Sequence, residues 1–146
     1  MSFVDAGNGE TILVQIGDGA TPEVFAHDCL INAERSISIT ANMVTNTIPN
    51  CTDPSLPAKT VRAVESTDSS ISGSGVMHSS SVKTWQDWAL SGLPKNVRVK
   101  HNVAGKWQVA GSYLAESVVV TGTPKNSANV SVNLVQADLP TTSTVS

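Results

Sequence analysis

The residues best suited to chemistry stand together at one point of the chain, where His27, Asp28 and Cys29 are adjacent. A thiol beside a base is the arrangement that a cysteine nucleophile requires. If this segment is a strand, its side chains alternate between two faces, so His27 and Cys29 share one face while Asp28 points to the other. No group that would stabilise an oxyanion is apparent near them. We therefore expect no catalytic residue in this chain.

Metal and nucleotide sites are also poorly supported. His78 and His101 do not stand in a spacing such as His-Glu-x-x-His, and the two cysteines are 22 positions apart. The segment Gly73–Gly75 begins like a dinucleotide fingerprint, but His78 occupies the third glycine position and no βαβ unit with a strand–turn–helix context follows. We expect neither a metal nor a cofactor. The glycines indicate instead a strand that bulges, or one with a large group lying over them.

The cysteines and the N-terminal segment indicate the compartment. Cys29 and Cys51 do not form a disulfide framework, and they are either free thiols or the partners of a bridge made only after cell lysis. The first residues lack a basic region followed by an apolar stretch. No hydrophobic run approaches the roughly 20 residues that cross a bilayer. These features favour folding in the cytoplasm.

The chain is weakly and unevenly charged. Charged residues make up 14% of the 146 residues and the net charge is −3, which argues against a nucleic-acid reader with a clustered basic face. Residues 1–73 carry nine acidic and three basic side chains, a balance of −6, whereas residues 74–146 carry three acidic and six basic ones, a balance of +3. Opposite signs favour head-to-tail docking, unless the halves mix in the fold and the asymmetry cancels. Few lysines and glutamates also make a surface that neighbours cover at low desolvation cost.

The composition favours strands over helices. Ser and Thr together number 33 and Val alone numbers 19, a mixture that suits pleated strands with one hydroxyl-bearing face. The alternation is clearest where Ile37 and Ile39 share a face and Ser36 and Ser38 share the other, which predicts that the isoleucines lie in a core. Further strands are predicted near residues 11–16, 23–30, 69–77, 97–103, 107–113, 118–120 and 130–134. We expect a mainly β fold of two packed antiparallel sheets, a β-sandwich or barrel, with one flanking α-helix.

The flanking helix is predicted over residues 79–91. Three serines at its start offer N-caps, and Gly92 supplies a C-terminal stop. Val82, Trp85 and Ala89 recur at helical spacing. Because such residues share one helix face, we expect the helix to dock on the sheets through them.

The segment over residues 42–61 breaks the strand pattern. It contains three prolines and no sustained period. A structureless stretch of this length is unusual inside a compact domain and is often functional. It is either a long surface loop or a hairpin with strands near residues 43–48 and 59–64. We expect one domain over residues 1–137 that includes this extended loop, followed by a flexible tail at residues 138–146.

Several short motifs resemble the major tail tube proteins of siphophages. They are a glycine-rich strand followed directly by the helix, a strand that alternates a glycine, an aromatic and a small residue, and two closing strands. In this chain they are Ser70–Val76, the trio Gly111, Tyr113 and Ala115, then Ser117–Thr121 and Ala128–Gln136. The resemblance covers residues 33–137, and it departs from the family between residues 42 and 68.

The resemblance implies a pair of packed antiparallel sheets with a flanking helix, six copies that close into a ring, and rings that stack into a hollow tube. Such a tube assembles in the host cytoplasm around a tape-measure protein, meets tail terminator and baseplate proteins, and becomes part of the virion. Double-stranded DNA passes through it only as transient cargo. The chain is then a structural protein, without enzyme activity, cofactor or membrane binding.

On this interpretation the long loop contacts the next ring and becomes ordered only on assembly. The residues that we assign to the contact are Met43, Thr47, Ile48, Pro49, Pro54, Leu56 and Pro57.

Two other functions stay open. One is a different structural assembly protein, such as a head decoration protein or the tube of an injection apparatus. The other is a monomeric carbohydrate- or host-binding β-sandwich. That kind of module usually presents aromatic side chains on loops, whereas the six aromatic residues here mostly fall within predicted strands and the helix.

Overall fold

The computed structural model describes residue 3 and residues 12–19, 23–27 and 31–145. Within these residues the chain forms eight strands and one helix, so the expected mainly β fold with one helix is confirmed. The strands are β1 (Ile12–Gly17), β2 (Phe25–His27), β3 (Glu34–Ile48), β4 (Lys59–Val76), β5 (Lys95–His101), β6 (Trp107–Thr121), β7 (Asn129–Gln136) and β8 (Thr141–Thr144), and the helix is α1 (Ser79–Ser91).

Hydrogen bonds join the eight described strands into one sheet with the order β2-β1-β5-β6-β7-β4-β3, and β8 also pairs with β6. The defined strand registers are antiparallel. The two sheets expected from the sequence are therefore two parts of one hydrogen-bonded sheet. β6 connects them, because its residues 108–113 pair with β5 while residues 113–121 pair with β7.

The chain divides into two compact units, one made of Met1–Ser38 with Ser69–Ser146 and the other of Ile39–Asp68. The buried apolar core lies in the first unit. Its members are Val14, Ile31, Ile71, Trp85, Trp88, Val97, Val99, Tyr113, Val130, Val132 and Leu134. On β5 and β7 they occupy alternate positions, so one face of each strand is buried. Burial of that apolar surface is the main stabilising term, at about 25 cal/mol per Å².

Helix α1 spans the residues that the sequence predicts. Gly92 closes it with a φ of 70°, a left-handed conformation that glycine adopts without a steric penalty. The N-cap residue is His78, whose side chain makes no capping hydrogen bond. The three serines expected to cap the helix are instead its first helical residues.

The inner side of α1 faces the core of the first unit. Trp85 and Trp88 are both buried, and their ring centroids lie 5.4 Å apart. Val82 packs against the same core, and Ala89 is half-buried. The indole N–H of Trp88 donates to the carbonyl of Leu93 at 2.9 Å, which satisfies its polar atom at the helix end.

The segment that precedes β3 crosses over the two glycines of β4. A Cβ atom added to Gly73 would lie 2.5 Å from Ile31 Cγ2, and one added to Gly75 would lie 2.5 Å from Asn32 Oδ1. The Asn32 amide also donates to the carbonyl of Val76 at 2.8 Å and accepts its N–H at 2.9 Å. The register of β4 with β7 is unbroken here. A large group over the glycines, rather than a bulge, therefore explains them.

β6 is one strand of 15 residues where the sequence predicts two shorter ones. The register shifts at Glu116, whose carboxylate accepts a hydrogen bond from the Asn133 amide at 2.9 Å. A bulge of this kind absorbs one residue without ending the ladder. Tyr113 lies in the N-terminal half of the strand with no exposed surface, and its hydroxyl is 2.8 Å from Ser69 Oγ.

The end of the chain differs from the flexible tail expected at residues 138–146. Thr141–Thr144 form β8, which pairs antiparallel with Trp107–Ala110 of β6. The bend before β8 fits because Gly111 has no side chain: a Cβ there would lie 2.9 Å from Pro140 Cβ. Pairing with an available strand edge overrides the local composition, which by itself suggests disorder.

The second unit is the hairpin Ile39–Asp68, which consists of the far ends of β3 and β4 with the turn between them, and we call it the arm. The hairpin alternative for residues 42–61 is therefore the one that the structure adopts, with strands that reach Ile48 and resume at Lys59. The arm is paired in the single chain, in contrast to a loop that orders only on assembly.

The arm has no buried residue. Ile39, which the sequence places in the core, is 57% exposed, whereas Ile37 packs against the core of the first unit. The alternation of β3 is thus correct, but the burial inferred for Ile39 is wrong. A two-stranded hairpin has no further layer of its own to cover either face.

Candidate assembly surfaces

The seven residues assigned from the sequence to a contact between subunits are all exposed in the arm. Met43, Thr47 and Ile48 lie in β3, and Pro49, Pro54, Leu56 and Pro57 lie in the turn. The structure therefore places them in one unit, although three of them lie in a strand and four in a turn.

The arm exposes more apolar surface than those residues provide. Its large aliphatic side chains are 37–57% exposed: Ile39, Met43, Val44, Ile48, Leu56, Val61 and Val64. A cluster of exposed apolar residues on a soluble chain marks a site of association. The sequence analysis missed Ile39, Val44, Val61 and Val64 for this role. The sequence feature that could have indicated them is the adjacent pair Met43 and Val44, because neighbouring residues of a strand point to opposite faces and both faces are then apolar.

The turn at the tip of the arm is held by its own side chains. Asn50 Oδ1 accepts the backbone N–H groups of Thr52 and Asp53 at 3.0 and 3.1 Å. Asp53 Oδ1 accepts the hydroxyl of Ser55 at 2.7 Å and its backbone N–H at 3.1 Å. These two bonds, the hydroxyl first, lower the pKa of the Asp53 carboxyl below its ordinary value. A turn ordered in this way can dock on a partner at a small entropic cost.

A cleft of about 350 Å³ opens beside the tip. It is lined by Ile48, Pro49, Asn50, Cys51, Pro57 and Lys59. Cys51 is a free, exposed thiol, and Cys29 lies outside the described residues. The cleft is mostly apolar, so it suits a side chain of a neighbouring protein better than a charged ligand.

Two edges of the part β6–β7–β4–β3 have unpaired backbone groups, in addition to the edge at β2, which ends the other part of the sheet. β3 ends the sheet and has only β4 beside it. On the other side, residues 114–121 of β6 pair with β7 but with no second strand among the described residues, because the pairing with β5 stops at Tyr113. Open edges are templates for pairing with another chain. The part β6–β7–β4–β3 is therefore a four-stranded sheet with one pairing edge on each side.

The outward face of this four-stranded sheet carries hydroxyl and amide groups, together with the exposed side chains of Val76 and Val119. They belong to Ser36, Ser38, Ser70, Ser72, Ser74, Ser131 and Asn133, which alternate with the core residues of β4 and β7. Among the described residues of these strands in the first unit, the one cationic side chain is Arg35, which donates instead to the carbonyls of Ile12 and Ile31. Glu34 and Glu116 add negative charge at this sheet. The face is therefore neutral to acidic.

Cationic side chains lie on the outward face of β5. Arg98 and Lys100 alternate there with the buried Val97 and Val99. The Arg98 guanidinium lies 3.9 Å from the centre of the Phe25 ring, a cation–π contact that holds it on this face. The charge of the first unit is thus distributed unevenly between the outward faces of β5 and of the four-stranded sheet.

The groups that suggested chemistry have structural partners. His27 Nδ1 lies 3.2 Å from the Val14 nitrogen and 2.9 Å from the Val14 oxygen, and His78 Nε2 lies 2.8 Å from Ser80 Oγ. Asp28 and Cys29 lie outside the described residues. In the part of the chain that the structure describes, no three His, Cys, Asp or Glu residues are placed to hold a metal ion. The helix found there is too short and too polar to cross a membrane.

Several solved structures share this fold. The tail of an empty gene transfer agent (GTA) particle with C6 symmetry is 18% identical, with a TM-score of 0.73, and the match covers 97% of this chain and 100% of that one. The virion of a native GTA particle is 19% identical, with a TM-score of 0.71 and coverage of 94% and 99%. The SPP1 tail tube is 10% identical, with a TM-score of 0.68 and coverage of 96% and 80%. At these identities the likeness establishes the fold.

The family comparison identifies the chain more closely than the comparison with curated sequences, which finds no match. The model of the family described as phage tail tube protein matches residues 6–140. That span contains the helix, the arm, the hydroxyl-bearing face and both open sheet edges. The chain belongs to the phage tail tube protein family.

Proposed function

We propose that this chain is the subunit of a hollow tail tube, in which six copies form a ring and rings stack along the axis that double-stranded DNA follows. The observation that carries the proposal is the match of residues 6–140 to the tail tube family. The surfaces described above supply a role for each part of the subunit in such a tube.

The two open edges are suited to the contacts within a ring. β3 of one copy pairs with residues 114–121 of β6 in the next copy, which satisfies the backbone groups that each edge leaves unpaired. Because the two edges differ, the contact is heterologous, and a heterologous contact generates a ring when its rotation closes. The sheet then continues around the ring, without a free edge on which the tube wall could aggregate.

The hydroxyl-bearing face is suited to the lumen. DNA presents a dense line of phosphate charges, and lysine or arginine side chains on the wall would hold them. Serine and asparagine side chains make this face wettable without such cations, and Glu116 beside Asn133 adds repulsion. A wall of this kind allows the polyanion to slide.

The arm is suited to the contact between rings. It has seven large aliphatic side chains that are 37–57% exposed in the single chain, and its tip is preordered by Asn50 and Asp53. In the tube, side chains of this set become buried against the adjacent ring. The other partners of the tube in this proposal are a tape-measure protein, a terminator and a baseplate protein. The tube assembles in the host cytoplasm and becomes part of the virion. The role is structural and includes no enzyme activity.

Replacing residues 46–58 by a short Gly-Ser linker tests the role of the arm. A longer or shorter surface loop changes the free energy of folding little, about 0.6 kcal/mol for each doubling, so the variant should be a folded subunit of near-parental stability. Electron microscopy should find rings or short stacks in place of long tubes. Mixed with the parent, the shortened chain should cap growing tubes.

A matched control is the same replacement in the turn between β6 and β7, around the hydrogen bond from Asn126 N–H to the Thr123 carbonyl. That variant should still form long tubes, because the turn lies outside the arm. Tubes of normal length from the chain without residues 46–58 would remove the tip of the arm from the contact between rings.

A further inference from the structure

We infer that the arm is enclosed between two further copies of this chain, one against each of its faces. The inference rests on the proposed function and goes beyond it, since a contact with the next ring alone requires only one face of the arm.

Cross-strand hydrogen bonds define the two faces. Ser36 bonds Ser72, Ser38 bonds Ser70 at 2.8 Å, and Asn42 bonds Ser66 at 3.0 Å, all in a single register. Even-numbered residues of β3 therefore share a face with even-numbered residues of β4, and odd-numbered residues share the other face.

Each face carries large exposed aliphatic side chains. On the odd-numbered face, Ile39 is 57% exposed, Met43 55% and Val61 41%. On the even-numbered face, Val64 is 55% exposed, Ile48 44% and Val44 37%. A hairpin that lay on one partner would leave the three aliphatic side chains of its other face in water. Burial of both sets requires a partner on each side.

The chemistry of the faces fits copies of this chain as the partners. Each face combines its aliphatic side chains with one cation and one carboxylate, Lys59 and Glu65 on the odd-numbered face and Arg62 and Asp68 on the even-numbered face. Such nearly neutral faces match a chain with only 14% charged residues. A tube of stacked rings also needs two kinds of contact for each subunit, within the ring and between rings. Two apolar faces on one arm can supply one to each.

Cysteine labelling tests the two faces separately. In a Cys51→Ser background, Thr45→Cys places a thiol on the odd-numbered face and Asn46→Cys places one on the even-numbered face, at adjacent positions. Both thiols should react with a maleimide at least about ten-fold more slowly in tubes than in the same variant as a free subunit. Mass spectrometry of the labelled peptides separates them from Cys29. A photo-crosslinker attached at the two positions should link to different peptides of the partner copies.

Radical footprinting of the parent protein repeats the test without a substitution. Oxidation of Met43 and of Val64 should both fall when free subunits become tubes. Protection of one face alone, by either method, would overturn the inference and leave the proposed function intact, as would crosslinks from both positions to one peptide. Failure of the parent to assemble at any concentration would refute the proposed function, and this inference with it.

Discussion

The crossing of Ile31 over β4 gives the sharpest test of the fold, through the substitution Gly73→Ala. The added Cβ would lie 2.5 Å from Ile31 Cγ2, 3.1 Å from Cγ1 and 3.2 Å from Cδ1. Ile31 is only 1% exposed, so it has little room to move. Overpacking of this kind costs about 1–3 kcal/mol, and alanine recovers about 0.5–1 kcal/mol of that because glycine is unfavourable in a strand. We expect a net destabilisation of up to about 2.5 kcal/mol.

Gly122→Ala is the matched control. A Cβ at Gly122 meets no atom within 4 Å, and the residue is not among the glycines with positive φ. The same chemical change should therefore stabilise the chain by about 0.4–1 kcal/mol, through the lower entropy of the unfolded state. Thermal unfolding of the free subunits should separate the two variants, at about 2–4 °C per kcal/mol for a chain of this size.

A double-mutant cycle then assigns the effect to Ile31. Ile31→Ala removes the clashing Cγ2, so Gly73→Ala should cost less in that background, with a coupling energy of about 1 kcal/mol or more. Urea unfolding of the four chains measures the coupling. Equal stability of the Gly73→Ala and Gly122→Ala variants, or additive effects in the cycle, would mean that Ile31 does not pack on Gly73.

Three further predictions concern the helix, the charges and the tip of the arm. Trp85→Ala should cost about 3–5 kcal/mol, because the indole is buried, and a parental melting temperature would contradict this. Salt at about 1 M, where the Debye length is about 3 Å, should slow tube growth if the −6 and +3 halves attract, whereas faster growth would assign association to apolar contacts. The pKa of the Asp53 carboxyl is lower in the folded chain than its ordinary value of 3.8. The ionised carboxylate therefore stabilises the tip fully at pH values above 3.8, and this stabilisation is lost as the pH falls through the pKa of the folded chain. Relative to the intrinsic exchange rate at each pH, acid should therefore reduce the protection of the Ser55 amide in the parent but not in Asp53→Asn, and an equal pH dependence of this protection in both would exclude the carboxylate.

Features that depend on near neighbours in sequence are the ones that sequence analysis predicts well. The helix over residues 79–91 follows from its apolar spacing and from Gly92 at its end. The pair Gly73 and Gly75 indicates either a bulge or a covering group, because side chains that alternate on a strand leave a groove where two are missing, and the structure has the covering group. The resemblance to tail tube proteins also rests on such local patterns, and the family match confirms it.

The surfaces are less predictable, since their residues follow no pattern of burial. Past Asn42 the sequence leaves both a loop and a hairpin open, because period two requires one buried face and the arm buries neither. The aliphatic residues that the arm exposes, Val44 and Val64 among them, cannot be distinguished by type from core residues. Only pairing between distant strands reveals which of them lack cover.

By itself, the sequence determines that this protein is mainly β, carries one helix and has few charges, because these depend on residue type and short-range period. The tertiary structure alone decides where strands end and which edges stay open. The tail becomes β8 because β6 offers an edge beyond β7, and residues 114–121 keep an open edge because β5 stops at Tyr113. Backbone groups pair with whatever strand the fold brings beside them, and no local composition encodes that neighbour.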